Sequence, residues 1–114
     1  MDLLSAIIGH LVGDYLLQFD YIAENKKKSK FVCLFHCLIW TSLVVSFGQV
    51  YNIWAITILF VTHYIQDSGT IIQKYMNFMG QKNFAKPPLA PWSVIVVDNV
   101  WHIVTIWACY KLFF

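Results

Sequence analysis

Apolar residues in this chain fall into long runs with few interruptions, without the alternation of a half-buried strand. Residues 3–19 are apolar except for His10, Asp14 and Gln18, and the polar run Glu24-Asn-Lys-Lys-Lys-Ser-Lys30 follows. Residues 31–66 contain no Asp, Glu, Lys or Arg. At about 20 residues per membrane span, that stretch is too long for one helix and suits two. Gly48-Gln49-Val50-Tyr51-Asn52 holds the turn-forming residues near its middle. A polar connection with Lys and Pro covers residues 75–90, and the last apolar run opens with Pro91-Trp92-Ser93, where Pro suits a first helical turn. The pattern predicts an all-α fold: an integral membrane four-helix bundle with transmembrane helices at 3–24, 31–48, 52–74 and 91–112. Residues 1–114 are expected to form a single transmembrane domain. A spanning barrel needs at least about eight strands, more than this chain supplies. The first run reads as a span and not as a cleavable leader, since no positive segment precedes it and no small-x-small site follows.

Composition strengthens the membrane reading. Apolar residues make up 59% of the chain and charged residues only 12%, about half the usual share of roughly 25%. Disorder, nucleic-acid binding and a disulfide-stapled secreted domain are excluded on that basis. Every positive charge is a Lys. Lys26, Lys27, Lys28 and Lys30 follow the first run, and Lys74, Lys82 and Lys86 follow the third. In a four-span chain these connections share one side, which the positive-inside bias places in the cytoplasm, with both termini outside. The expected location is the bacterial inner (plasma) membrane. The basic loop reads first as this topology signal, and Lys74 as an anchor of the same kind. Docking on anionic headgroups is compatible. Trp54 and Trp92 read as interfacial belt residues. Cys33, Cys37 and Cys109 lie in apolar runs and read as small packing residues, although Cys33 and Cys37 share a helix face beside His36.

The remaining polar residues carry the chemistry. All four His, together with Asp14, Asp67 and Asp98, lie inside apolar runs. Ionisable groups in such places are functional candidates by default. His10/Asp14, His63/Asp67 and Asp98/His102 are each four apart, one helical turn, so each pair projects from one face. His36 is the unpaired fourth. At ~1.5 Å per residue from the Lys-rich boundary, Asp14 lies ~15 Å deep, His36 ~9 Å, and Asp67 and Asp98 ~10 Å. On the same scale His63 and His102 lie ~16 Å deep and His10 ~21 Å. Spans alternate in direction, so a common layer points to a shared site.

Imidazole and carboxylate suit zinc, manganese or iron. The candidate ligands are His10, Asp14, His36, His63, Asp67, Asp98 and His102, enough for one or two divalent ions. Asp14 or Asp67 would act as general base. Gly9 and Gly13 allow close approach of a helix or substrate, and Gln18 extends the His10/Asp14 face.

The pattern His10-Leu-Val-Gly-Asp14-Tyr-Leu-Leu-Gln18, then His36, His63-x-x-x-Asp67 and Asp98-x-x-x-His102, resembles a family across nearly the whole chain. That family is the small polytopic bacterial and phage membrane proteins catalogued as domain of unknown function 3307. It is also distantly similar to proteins labelled membrane-bound metal-dependent hydrolases, which implies metal held by these His and Asp. One departure is Asn99, where the pattern would carry Gln.

The leading expectation is a membrane-embedded, metal-dependent hydrolase acting on a lipid ester or phosphoester near the cytoplasmic leaflet. Its partners would be a lipid or lipid-linked substrate and the membrane, with no nucleic acid, and a homo-oligomer is compatible. The alternatives are a proton or divalent-metal transport or relay protein, or a metal-stabilised interaction protein without catalysis.

Overall fold

The capping residues mark where helices begin. Asp2, Ser29 and Asn52 each accept a backbone N–H with a side-chain oxygen, satisfying donors that the first helical turn leaves free. A computed structural model describes all 114 residues and contains helices without strands. The helices are α1 (Leu3–Leu11), α2 (Asp20–Asn25), α3 (Lys30–Gly48), α4 (Ile53–Asp67), α5 (Ile71–Phe78) and α6 (Trp92–Phe113). A π-helical segment, Val12–Leu16, prolongs α1.

Four of these helices close a ring: α1 packs on α3, α3 on α4, α4 on α6, and α6 back on α1. Two glycines let α1 and α3 meet at their backbones. A Cβ on Gly9 would stand 2.8 Å from the Leu43 carbonyl oxygen, and one on Gly48 would stand 2.8 Å from the Ala6 Cβ. Ala6, Val44, Ala55, Leu59, Ile106 and Cys109 are buried in the apolar core at this end of the ring. The expected turn is present. α3 ends at Gly48, Gln49 takes the left-handed region (φ 52°), and Val50 N–H donates to the Val45 carbonyl at 3.0 Å.

Two expected boundaries are corrected. The run 3–24 is not one helix. Its hydrogen bonding widens at the π segment, with Leu17 N–H reaching back five residues to the Val12 carbonyl at 2.9 Å. The Gln18 side chain then takes the Asp14 carbonyl at 3.0 Å, and the chain breaks before α2. The run 52–74 stops at Asp67, where Ser68 and Gly69 interrupt it, and α5 continues to Phe78 inside what was expected to be loop.

These breaks bear on the spans. Only α3 and α6 are long and apolar enough to cross a membrane. The apolar helix Leu3–Leu16 and the 15-residue α4 fall short of the ~20 residues a crossing needs. Trp54 and Trp92 stand exposed at the starts of α4 and α6.

Candidate metal centre

α3 and α4 run antiparallel, and one turn of each brings His36 opposite His63 and Asp67. The π segment, wider than an α-turn, carries Asp14 into the same space. The His36 Nε2 atom stands 3.0 Å from Asp14 Oδ1, 3.1 Å from Asp67 Oδ2 and 3.1 Å from His63 Nε2. His63 Nε2 is 3.1 Å from Asp67 Oδ2 and 3.7 Å from Asp14 Oδ1. All four residues are buried.

Hydrogen bonds alone do not satisfy this cluster. His36 Nε2 can carry one proton, yet three acceptor-type atoms surround it at nearly equal distance. Asp14 Oδ1 stands 3.0 Å from His36 Nε2 yet makes no well-formed hydrogen bond, which is costly for a buried carboxylate oxygen. A single cation resolves both problems. Four ligands at about 2.0–2.2 Å from a tetrahedral ion are about 3.3–3.6 Å apart. The distances above bracket that value. Formal charge agrees: Asp14, Asp67 and Asp98 carry three negative charges, Lys26 one positive, and a divalent ion offsets the remaining two.

Lys26 lies in the loop after α2, and its Nζ bonds Asp67 Oδ2 at 3.0 Å. Its reading as a topology residue is therefore incomplete, because the side chain turns inward and is only 11% exposed. Neighbouring Lys27 places its Nζ 3.4 Å from the carbonyls of Asp67 and Gly69.

The remaining His residues surround this cluster in different roles. His63 Nδ1 and His102 Nδ1 are 3.2 Å apart, so the two share one proton. If His63 Nε2 held a cation, His63 Nδ1–H would donate to His102 Nδ1. His102 would then carry its proton on Nε2, facing Asp67 Oδ1 at 3.1 Å and Asp98 Oδ2 at 3.4 Å. This is the outer support that metal-bound His commonly has. Asp67, Asp98 and His102 also lie close enough to form a ligand group of their own. The shared proton makes that group an alternative to His63 ligation and not an addition to it.

His10 stands apart. Trp40 Nε1–H donates to His10 Nδ1 at 3.0 Å, which leaves the proton on Nε2, donated to Asn99 Oδ1 at 2.6 Å. Both nitrogens are thus engaged away from the four-residue cluster, although Asp14 Oδ2 passes 3.4 Å from Nδ1. Trp40 also stacks on His63, ring centroids 3.8 Å apart at 12°, and fixes that imidazole. Sequence reasoning missed Trp40 and the inward turn of Lys26. Cys33, Cys37 and Cys109 are buried free thiols, and none joins the ligand group.

Among the expected ligands, the structure brings Asp14, His36, His63 and Asp67 into one cluster, with Asp98 and His102 adjoining. Asp98 is 19% exposed and lines a cleft of about 270 Å³ with Asp14, Gln18, Lys26 and Lys27. The site therefore has a closed side and a side open to a ligand.

The comparisons with known proteins add one result. A family model described as "Protein of unknown function (DUF3307)" matches residues 3–114. The chain belongs to the DUF3307 family. No curated protein and no solved structure matches it. Within this DUF3307 chain, the Asn99 departure still supplies a working contact, since its amide oxygen takes the His10 proton.

Proposed function

We propose that this protein is a membrane-embedded hydrolase that uses one divalent ion, zinc, manganese or iron, to cleave a lipid ester or phosphoester at the cytoplasmic leaflet of a bacterial inner membrane. The observation that carries this reading is the four-atom cluster of Asp14, His36, His63 and Asp67, spaced as a tetrahedral ligand set and adjoining an open cleft. The long axis of 41 Å approaches the ~40–45 Å of a bilayer with its headgroups. α3 and α6 would cross it, α1 and α4 would enter it from the outer side, and both termini would lie outside. α1 with its π segment and α4 end at the site, and α2 and α5 continue near the headgroups.

A divalent ion held here would lower the pKa of a water and polarise the bond to be cleaved. Asp67 cannot also serve as base, since its oxygens already meet Lys26, His36, His63 and His102. Asp14 gives Oδ1 to the ligand set. Asp98 is better placed: it lines the cleft and its Oδ1 has no partner. It would take a proton from the water as the water oxygen bonds to phosphorus or carbonyl carbon, and would return that proton to the ester oxygen as its bond to that centre breaks. His102 Nε2–H holds Asp98 in position. One ion is preferred to two because His63 and His102 share a single proton.

Conduction is the weaker reading. Beyond Trp40, the interior passes into the core of Val44, Val50, Ala55, Leu59 and Ile106, and no polar path continues.

The test is elemental analysis of detergent-solubilised protein, paired with hydrolysis of ester and phosphoester lipids in vesicles. One divalent ion per chain is expected, falling at least about tenfold in His63→Ala and Asp67→Asn. Unchanged metal content in both variants would overturn the shared site. Full metal content without hydrolysis of either lipid class would overturn the activity.

A further inference from the structure

The cleft beside Asp98 does not end at the site. Val94, Asp98, Trp101 and Thr105 recur at helical spacing along one stripe of α6. The first two line the cleft, and the last two line a second cavity of about 290 Å³ between α4, α5 and α6. Ile72 of α5 lines both, so the two cavities are neighbours along α6 that meet at this side chain.

Their chemistry differs sharply. The second cavity is walled by Ile65, Ile71, Ile72 and the edge-to-face pair Tyr75–Trp101, whose ring centroids are 5.2 Å apart. The cleft carries Lys26 and Lys27 at its mouth. No carboxylate lies within ion-pairing distance of Lys27, so its charge is uncompensated. With Lys26 and a divalent ion offsetting Asp14, Asp67 and Asp98, the mouth is left net positive. A ligand that fits both stretches has an anionic head and an apolar chain.

We infer that the substrate is a phosphate-headed lipid bound sideways, with its phosphate in the Lys26/Lys27 cleft and one chain along the Ile65–Trp101–Thr105 groove. This rests on the hydrolase reading above and deepens it, selecting a lipid with a phosphate head over a neutral ester lipid. Charge separates the two: diacylglycerol, whose esters are all carboxylic and neutral, gains nothing from Lys27. Ile72 sits at the junction of headgroup and chain.

The experiment is lipid retention by the metal-loaded protein in detergent, read by native mass spectrometry. The probes are phosphatidic acid, diacylglycerol with the same chains, and glycerol phosphate. Phosphatidic acid should be retained at least tenfold better than diacylglycerol. Ile65→Trp and Thr105→Trp fill the groove from two helices and should each lower phosphatidic acid retention at least fivefold, with metal content and glycerol phosphate binding unchanged. Lys27→Gln should bring phosphatidic acid down towards diacylglycerol. Equal retention of the two lipids would overturn the headgroup assignment. Undiminished retention in both Trp variants would overturn the groove. Metal content and hydrolysis are measured on the same samples. Lipid selectivity without hydrolysis would refute the activity and leave the binding site standing.

Discussion

The two ends of the helical ring are held together by opposite means. At the apolar end, α1 and α3 meet backbone to backbone through Gly9 and Gly48, over a core whose polar side-chain groups are the Trp40 indole N–H and the Cys109 thiol. At the other end, nine polar side chains from five segments crowd one another, and two buried carboxylate oxygens lack a well-formed hydrogen bond. Apolar packing needs nothing further to be stable. The polar layer gathers two buried carboxylates, Asp14 and Asp67, beside the partly exposed Asp98 and needs a cation to make it favourable. The fold thus confines its cost to one layer and anchors that layer against a rigid end.

The largest effect should come from breaking the rigid end. In Gly9→Leu the new Cβ alone would stand 2.8 Å from the Leu43 carbonyl oxygen, a backbone atom that cannot swing aside. Helices α1 and α3 must separate, at a cost of about 3 kcal/mol or more. The expected outcome is loss of monodisperse protein on size exclusion, or a sharply lowered melting temperature. A Gly9→Leu variant that melts like wild type would show that the close approach is not needed.

The second prediction concerns the polar end. Removing the divalent ion with a chelator should destabilise the protein by about 2.7 kcal/mol if free metal had stood at a hundred times its dissociation constant. Melting scans with and without chelator measure this. The loss should be absent in His36→Ala, which has already lost a ligand. A chelator effect of equal size in that variant would place the stabilising ion elsewhere. Together the two experiments separate stability that comes from packing from stability supplied by a ligand.

Much of this division was legible in the sequence. Four apolar runs became the four ring helices, and the turn at Gly48–Asn52 lies where the residues place it. The i, i+4 spacing of His63 and Asp67 put both on one face, and they meet. The break after Asp67 also had a signal, because Ser68-Gly69 is a turn dipeptide set in an otherwise apolar run. The break after Leu16 had none: no Gly or Pro stands there, and it depends on the π segment and on Gln18 bonding the Asp14 carbonyl. Lys26 was misread in part because periodicity fixes faces of helices and not the path of a loop. Only the return of the chain after α2 aims its ammonium at Asp67. Trp40 was hidden among 20 aromatic residues, and nothing in its position along α3 marks it as the one that stacks on an imidazole. The division of roles between His63 and His102 was likewise out of reach, since it follows from a 3.2 Å contact and from counting protons.

The smallest expected effect tests that proton counting at its edge. His10 receives the Trp40 N–H on Nδ1 and gives its own proton to Asn99 Oδ1. This chain tethers the polar layer to α6 without joining the ligand set. Asn99→Gln keeps the acceptor and adds one methylene, so the His10 ring need only tilt, and the loss should stay within about 1 kcal/mol. Asn99→Leu leaves the buried His10 N–H without a partner and should cost more, about 1–3 kcal/mol. In both variants the metal content should remain that of wild type, because neither touches Asp14, His36, His63 or Asp67. Elemental analysis alongside melting curves checks the pair. If Asn99→Leu lost its metal while remaining folded, His10 would belong to the ligand set after all, and the boundary drawn here between the centre and its supports would move by one helical turn of α1.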